Sequence, residues 1–398
     1  MEHSRNTAQT HDLPERSMEN GIKLLSRYRG ALMGFAALLI YLFHIWQPVF
    51  GSYPGKIPKI ENFVTTIGFF GVDIFLFLSG IGITYSLEKS KNVLFFYYKK
   101  IKRIIIPFVL VGILNCWSEG WTSAQFWKNI LCVSFYKTSI YSCLWFVPAI
   151  LTLYFFAPLY YRLFTRASGK VRFTFCALVI WLLCTLYVRD TLRYDMFGFT
   201  NRIPIFLIGI LAGWFIQNSD MVFDGLAWVG MALTFLLGIY LAYLTNYADM
   251  YILVPTSNCC LPNIFLAVST SFLFVGILSF LCGKRYCRPL GKGLAGIFSF
   301  FGKFTLEFYC VQEWLLARLL PRISQYGNVV ANMILFVVIT TAALLLYYLS
   351  RYFWFFAEWA VQKMCAAYRE GLHGSGRAVI RGKDNAMDRK RPQESHLS

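Results

Sequence analysis

The sequence predicts an all-α membrane protein: a polytopic bundle of about ten transmembrane helices, some broken or short, with both termini in the cytoplasm. Two observations carry this fold class. The 398 residues are 57% hydrophobic and only 15% charged, whereas a soluble domain carries about 25% charged residues. The apolar residues also fall in runs long enough to cross a bilayer, which takes about 20 helical residues.

Ten apolar runs mark the predicted spans, and the third and the sixth are short. They cover residues 31–50, 64–86, 104–118, 143–161, 171–188, 202–217, 222–245, 264–282, 297–320 and 329–350. Prolines at positions 107, 148, 158 and 204 lie at or inside spans. Broken helices are tolerated where they line a cavity rather than lipid, so a cavity inside the bundle is expected.

The distribution of basic residues predicts the orientation of the bundle. Basic residues concentrate in segments 88–103, 162–172 and 284–292, which alternate with loops that carry fewer. The positive-inside rule places these three segments, and both termini, in the cytoplasm. The same rule accounts for the net charge of +18, so we expect membrane lipids as partners and no nucleic acid.

Composition divides the chain into three parts. We expect a disordered segment over residues 1–22, a transmembrane domain over 23–368, and a disordered basic cytoplasmic tail over 369–398. The first apolar run is too long for the core of a signal peptide and lacks a cleavage site, so it is interpreted as a signal anchor. No cysteine spacing resembles a zinc site, and neither a metal nor a permanently bound cofactor is expected.

An ionisable imidazole, His44, lies inside the first apolar run. Charged and ionisable residues are costly in hydrocarbon, so His44 is a candidate functional residue. Arg29 precedes it on the same predicted helix by roughly 22 Å along the axis. One helix can therefore hold an anion near one membrane face and a proton acceptor deep inside.

A carboxylate flanked by apolar residues, Asp73, lies in the second span within the run GFFGVDIFLFLSG, residues 68–80. His44 and Asp73 have similar predicted depths. Asp73 either accepts a hydrogen bond from the imidazole and fixes its tautomer, or bonds a neighbouring helix and shapes the bundle.

A basic pair, Lys100 and Arg103, lies in the block KKIKRIIIP, residues 99–107. Residues three apart share a helix face, so this pair suits phosphates, with Arg as a fork and Lys as a point charge. The alternative is ordinary anchoring, in which both side chains snorkel to lipid headgroups. Arg29 is predicted at the same membrane face.

Three further residues are candidate substrate contacts. Trp145 opens the fourth span, Arg202 opens the sixth, and Glu307 lies inside the ninth. Each has a structural alternative: Trp145 as an interface anchor, Arg202 as a snorkelling residue, and Glu307 as a carboxylate satisfied by a nearby cation, Lys303 or Arg318.

The ordered blocks resemble the acyltransferase-3 family of integral membrane acyltransferases, which modify sugars of the cell envelope. The resemblance covers about residues 27–350 and rests on the Arg29–His44 block, the two blocks quoted above, and three later pieces. These later pieces are LWFVP from residue 144, RIPIFLIGILAG from residue 202 and FGKFTLEFY from residue 301.

The resemblance implies that His44 is the essential histidine. Asp73 is the candidate orienting residue because its predicted depth is similar. It implies that Lys100 and Arg103, with Arg29, contact the phosphates of acyl-CoA, acetyl-CoA being the expected donor. Two departures matter. The interval from the arginine to His44 is longer than in the O-antigen branch of the family. Many members also have a second histidine after the FGKFTLEFY block, where this chain has Gln312.

The expected function is therefore transfer of an acyl group, acetyl first, from cytoplasmic acyl-CoA to a sugar hydroxyl of a cell-surface or envelope glycan or glycolipid. His44 acts as general base or as transient acyl carrier. The expected location is the plasma or inner membrane. The alternative is a proton-coupled transporter or flippase of a glycan or lipid precursor, without acyl-transfer chemistry.

Overall fold

The computed structural model describes residues 21–51, 55–89, 92–138, 142, 144–188, 196–248, 250 and 261–388. Within these ranges, the side chains of residues 197 and 366–388 are not described. All regular elements among the described residues are helical. The chain divides into two units, residues 1–344 and 345–398, and every contact discussed below lies within the first.

Sixteen α-helices follow one another along the described chain. They are α1 (Leu24–Arg27), α2 (Arg29–Ile45), α3 (Ile57–Ile67), α4 (Gly71–Lys89), α5 (Val93–Glu119), α6 (Ser123–Ile130), α7 (Phe135–Thr138), α8 (Phe146–Arg166), α9 (Lys170–Val188), α10 (Phe197–Thr200), α11 (Ile203–Asn218), α12 (Gly225–Tyr247), α13 (Leu261–Gly283), α14 (Arg288–Phe301), α15 (Thr305–Ile323) and α16 (Asn328–Asp388).

The predicted fold class is confirmed, because eight of these helical segments are long and apolar enough to cross a membrane. A ninth is obtained if the bent pair α14 and α15 crosses as one span, and α2 is a shorter apolar helix of 17 residues. Each of the ten predicted apolar runs thus coincides with a helix or a bent pair. α5 and α8 continue through Pro107 and Pro158.

The ninth predicted span differs in its geometry. Residues 297–320 were expected to form one helix, but the chain bends by 67° between α14 and α15. The break falls at Gly302, Lys303 and Phe304, where the backbone leaves the helix before Thr305 restarts it. α14 is amphipathic, so its polar face does not require the same apolar surroundings as α15.

Helix α4 is the centre of the bundle. In the 18-residue apolar stretch within residues 57–89, 83% of the residues are buried within the protein. The corresponding share is 11% in α9 and 17% in α12. A helix that is apolar on all sides either lies in the protein core or faces lipid. The buried shares place α4 in the core and α9 and α12 at the lipid-facing surface. α4 packs most extensively on α11, and α2 packs on α14, α4 and α15.

Glycines set the distance between α4 and α11. A Cβ added at Gly209 would overlap the carbonyl oxygen of Phe77, and one added at Gly80 would overlap that of Phe206. Small residues allow helix backbones to approach closely in membranes, where van der Waals packing drives association. This contact fixes α11 against the face of α4 that carries Asp73 and Phe77.

The two chain ends differ in what the structure describes. Most of the segment expected to be disordered, residues 1–22, lies outside the described residues, but Ile22 is buried and its amide donates to the carbonyl of Met221 at 3.3 Å. The tail expected to be disordered from residue 369 continues α16 as helix to Asp388. Extending an existing helix avoids the cost of nucleation.

We predict that Gly209→Ala destabilises the bundle, because the new methyl group overlaps the backbone of α4. Overpacking of this kind costs about 1–3 kcal/mol. Thermal unfolding in detergent should show a lower midpoint for Gly209→Ala. The matched control is Gly230→Ala in α12, where an added Cβ meets nothing within 4 Å. Equal midpoints for the two variants would contradict the proposed close approach.

Candidate functional site

His44 and Arg29 occupy opposite ends of α2, as the sequence predicted. Arg29 opens the helix, and its Nη2 donates to the carbonyl of Leu78 in α4 at 3.2 Å. His44 lies in the last turn, with its side chain 16% exposed. The helix therefore holds a cation at one end and an imidazole at the other.

The Nδ1 atom of His44 has two partners on α15. It lies 3.2 Å from Nε2 of Gln312 and 2.9 Å from Oε1 of Glu313. Nε2 of His44 has no hydrogen-bond partner among the residues that the structure describes. Gln312 is thus in direct contact with His44.

Asp73 does not form the predicted hydrogen bond with His44. This corrects the sequence-based assignment. Asp73 is 1% exposed. It accepts from Nδ2 of Asn263 at 2.7 Å and pairs with Nε of Arg202 at 3.5 Å. A buried carboxylate requires strong donors, and these two supply them, whereas His44 has a nearer acceptor on α15.

Asp73, Trp145 and Arg202 lie in one cluster, in which Asp73 and Arg202 are buried and Trp145 is half-buried. The guanidinium of Arg202 lies 5.1 Å above the ring of Trp145 and is 5% exposed. Arg202 is therefore a partner of Asp73 and not a snorkelling residue. The cluster ties α4 to α13 and to the start of α11, which supports the interpretation that Asp73 shapes the bundle.

Glu307 lies in the first turn of α15 and is 4% exposed. Neither of its expected cations contacts it. Arg318 pairs instead with Glu119 at 2.9 Å and stacks over Trp314 at 4.6 Å. Arg318 is about 16 Å further along the helix, which is too far for an ion pair. Oε2 of Glu307 has no partner among the described residues.

A cavity of about 500 Å³ brings Arg29, Lys100 and Arg103 together. We call it the basic cavity. Its cationic lining consists of Arg29, Lys89, Lys99, Lys100 and Arg103. Residues from three different helices thus place five positive charges around one space, which favours a polyanionic ligand.

The basic cavity extends along α2 toward His44. Arg29, Met33 and Ile40 all line it, a stretch of about 16 Å. Beyond the basic residues the lining is mainly apolar, with Ile40, Val72, Phe75, Phe146 and Ile150. Ile40 and His44 are four residues apart and share a helix face, so the apolar end of the cavity lies one turn from the imidazole.

A second cavity, of about 490 Å³, lies beyond the apolar end of the first. We call it the polar cleft. Its polar and charged lining consists of Asn115, Glu119, Gln125, Asn129, Ser134, Thr138, Ser142, Glu313 and Arg318, and its aromatic lining of Trp121 and Trp314. The cleft therefore combines neutral hydrogen-bonding groups with indole rings and lacks the excess positive charge of the basic cavity.

Helix α15 lines both cavities in turn. Tyr309 lines the basic cavity, while Cys310 and Glu313 line the polar cleft. The amide of Phe146 donates to the hydroxyl of Tyr309 at 3.2 Å, and their rings lie 5.6 Å apart. Both side chains line the basic cavity, and Tyr309 precedes Gln312 and Glu313, the partners of His44, by about one turn of α15.

The sequence analysis did not predict most of the residues that line the polar cleft. It named Trp145, Arg202 and Glu307 as candidate substrate contacts. Among the described residues, these three line neither cavity. Glu313 had a signal in the sequence, because a carboxylate inside an apolar run is costly. The segment 121–142 had none beyond its aromatic and amide content.

Residues 31–351 match the acyltransferase domain family known as acyltransferase-3, which covers most of the chain. The protein belongs to this family, and it is a membrane acyltransferase. The predicted resemblance is confirmed, and this assignment favours an enzyme over a transporter without chemistry. No curated protein and no solved structure matches the chain.

We predict that Asp73→Ala lowers the stability of the protein, because it leaves the guanidinium of Arg202 buried without its carboxylate. Breaking a buried ion pair costs about 3–5 kcal/mol. Thermal unfolding in detergent and the folded yield in membranes should both fall.

A double-mutant cycle tests whether the pair is the cause. Asp73→Ala combined with Arg202→Met should cost less than the sum of the two single changes, because the double variant leaves no charge behind. A variant Asp73→Asn with normal stability and no acyl transfer would instead assign Asp73 a role in chemistry.

Proposed function

We propose that the protein transfers an acyl group from cytoplasmic acyl-CoA to a hydroxyl of a sugar in a cell-surface or envelope glycan. Acetyl is the acyl group that we propose. The observation that carries this proposal is the arrangement of two chemically different cavities along α15. His44 lies one helical turn beyond Ile40, which lines the basic cavity, and contacts Glu313, which lines the polar cleft. One cavity suits an anionic donor and the other a neutral, hydroxyl-rich acceptor.

The basic cavity suits acyl-CoA because its charge and its apolar depth follow the shape of that molecule. The phosphates carry several negative charges, which Arg29, Lys100 and Arg103 neutralise by charge-assisted hydrogen bonds. The uncharged arm and the thioester then extend into the apolar part near Ile40 and Phe146. The reacting carbonyl thereby arrives one helical turn from His44.

Lipid anchoring is the alternative for both Lys100 and Arg103, and the position of Lys100 bears on it. Its ammonium lies 4.8 Å from the ring centroid of Tyr154 and 5.5 Å from that of Phe96, and all three residues line the basic cavity. Lys102 has a different position, over Tyr98 at 6.0 Å and outside the lining of that cavity. The geometry favours Lys100 as a phosphate contact.

The polar cleft suits a glycan acceptor. Amides such as Asn115, Gln125 and Asn129 can both donate and accept hydrogen bonds, as sugar hydroxyls require. The indoles of Trp121 and Trp314 offer amphipathic faces for the apolar side of a sugar ring. The cleft belongs to the end of the bundle away from the basic cavity, so the acceptor approaches from the extracytoplasmic side of the plasma or inner membrane.

The reaction needs a proton acceptor where the two cavities meet. His44 accepts the proton of the sugar hydroxyl at Nε2 as the oxygen attacks the thioester carbonyl. The new C–O bond forms, the C–S bond breaks, and the imidazolium returns its proton to the leaving thiolate. If the imidazole carries the acyl group transiently, Nε2 is again the reacting atom.

We predict that His44→Ala lowers kcat for acyl transfer by about 10²–10⁴-fold, the range for loss of a general base. The measurement uses purified protein in proteoliposomes with radiolabelled acetyl-CoA and total envelope glycan. Size-exclusion profiles should match wild type, because His44 has only two side-chain partners on α15. Full transfer by a folded His44→Ala protein would overturn the assignment.

We predict that Lys100→Ala and Arg103→Ala each raise KM for acetyl-CoA by about 10- to 100-fold, because each removes one charge-assisted contact worth about 1.5–3 kcal/mol. Effects on kcat at saturating donor should be smaller. Lys102→Ala is the matched control, since it removes one charge from the same helix outside the cavity. Equal KM changes in all three variants would indicate nonspecific electrostatics.

A further inference from the structure

We infer that Glu313 is the positioning residue of His44 and that it holds the imidazole in the Nδ1–H tautomer. This inference rests on the proposed function for its catalytic consequence, but the tautomer itself does not. Its starting point is the distance of 2.9 Å between Oε1 of Glu313 and Nδ1 of His44.

The two neighbours of Nδ1 make opposite demands on it. Nε2 of Gln312, at 3.2 Å, is a donor and requires a bare Nδ1. A carboxylate oxygen of Glu313 is an acceptor and requires a proton there. Nδ1 cannot satisfy both, because a neutral imidazole has either a proton or a lone pair at this atom.

The unpaired oxygen of Gln312 indicates which demand prevails. Its side chain is fully buried, and Oε1 has no hydrogen-bond partner among the described residues. Amide orientations are assigned from the hydrogen-bond network. Turning this amide brings Oε1 to the imidazole, so that the oxygens of Gln312 and Glu313 both face one Nδ1–H. That arrangement removes the contact between the lone pairs of Nδ1 and the Glu313 carboxylate, and it pairs the amide oxygen. The amide nitrogen then takes the buried position in which the oxygen had no partner among the described residues.

The location of Glu313 keeps its carboxylate available for this task. Its side chain is 50% exposed and lines the polar cleft, so the charge is hydrated and avoids the full penalty of burial. A proton held on Nδ1 leaves the lone pair on Nε2, the atom that the proposed reaction requires. Glu313 thus takes the place that Asp73 was expected to fill.

Removal of the carboxylate should reverse the tautomer. In Glu313→Gln, no anion competes with Gln312, whose amide then donates to Nδ1 and leaves the proton on Nε2. Replacing a carboxylate with an amide beside a catalytic histidine preserves the geometry but favours the wrong tautomer. Because this pair is half exposed, we expect kcat to fall by about 10- to 100-fold, with KM for acetyl-CoA unchanged.

The chain allows a direct spectroscopic test. It contains five histidines, and replacing His3, His11, His373 and His396 with Gln leaves His44 alone. Nitrogen-15 NMR of this protein in lipid, labelled at histidine, reports which ring nitrogen carries the proton. We expect Nδ1–H in the protein that retains Glu313 and Nε2–H after Glu313→Gln. An Nε2–H signal with Glu313 present overturns the inference without any assay of acceptor.

Kinetics provide the second test, with radiolabelled acetyl-CoA and total envelope glycan as the probes. Glu313→Asp, which keeps a carboxylate, should retain more activity than Glu313→Gln. Asp224→Asn is the control, because it makes the same chemical change at a helix N-cap outside both cavities, where Asn is an equally good cap.

The outcomes separate the inference from the proposed function. If the wild-type protein transfers acetyl and Glu313→Gln has the same kcat, the positioning role of Glu313 is overturned and the proposed function is not. No transfer by wild-type protein, together with Nδ1–H on His44, would overturn the proposed function and leave the pairing intact. Equal losses in Glu313→Gln and Glu313→Asp would also contradict the positioning role, because the carboxylate would then have no special effect.

Discussion

The cost of burying polar groups in an apolar bundle is the constraint on which the structure depends. Each buried charge needs a partner, and the choice of partner decides its role. The carboxylate of Asp73 has both its partners within the protein, Asn263 and Arg202, and therefore holds helices together. In His44, only Nδ1 has partners, both of them on α15. Nε2 has no hydrogen-bond partner among the described residues and is the atom that we propose for the chemistry. The same physical rule thus separates a structural carboxylate from the imidazole that we propose as the catalytic group.

The proposed chemistry follows from how helices share the two cavities. α2 lines the basic cavity from Arg29 to Ile40 and carries His44 in its last turn, so one helix sets the distance between the proposed phosphate contact Arg29 and the proposed base. α15 continues from that cavity into the polar cleft and contributes the partners of the imidazole. Donor and acceptor can therefore approach from opposite ends without sharing a binding surface, since the separation is built into the helices.

Several parts of the site were accessible from the sequence because their signals are local. A histidine in an apolar run and an arginine four turns before it lie on one helix, and helix geometry fixes their separation. The spacing of Lys100 and Arg103 places them on one face. The pairing of Asp73 with Arg202 was not accessible, because these residues are 129 positions apart and similar predicted depth does not determine which helices meet.

The sequence by itself determined the all-α membrane fold, the helical segments and the family, because hydrophobic run length and ordered motifs are properties of consecutive residues. Only the tertiary structure decided which side chains meet: Glu313 rather than Asp73 at His44, Arg202 in the core, and a polar cleft assembled from α5, α6 and α15. Those contacts depend on how helices rotate and pack, with Gly80 and Gly209 setting one such approach. Packing between distant segments is therefore what turns a row of costly polar residues into a site.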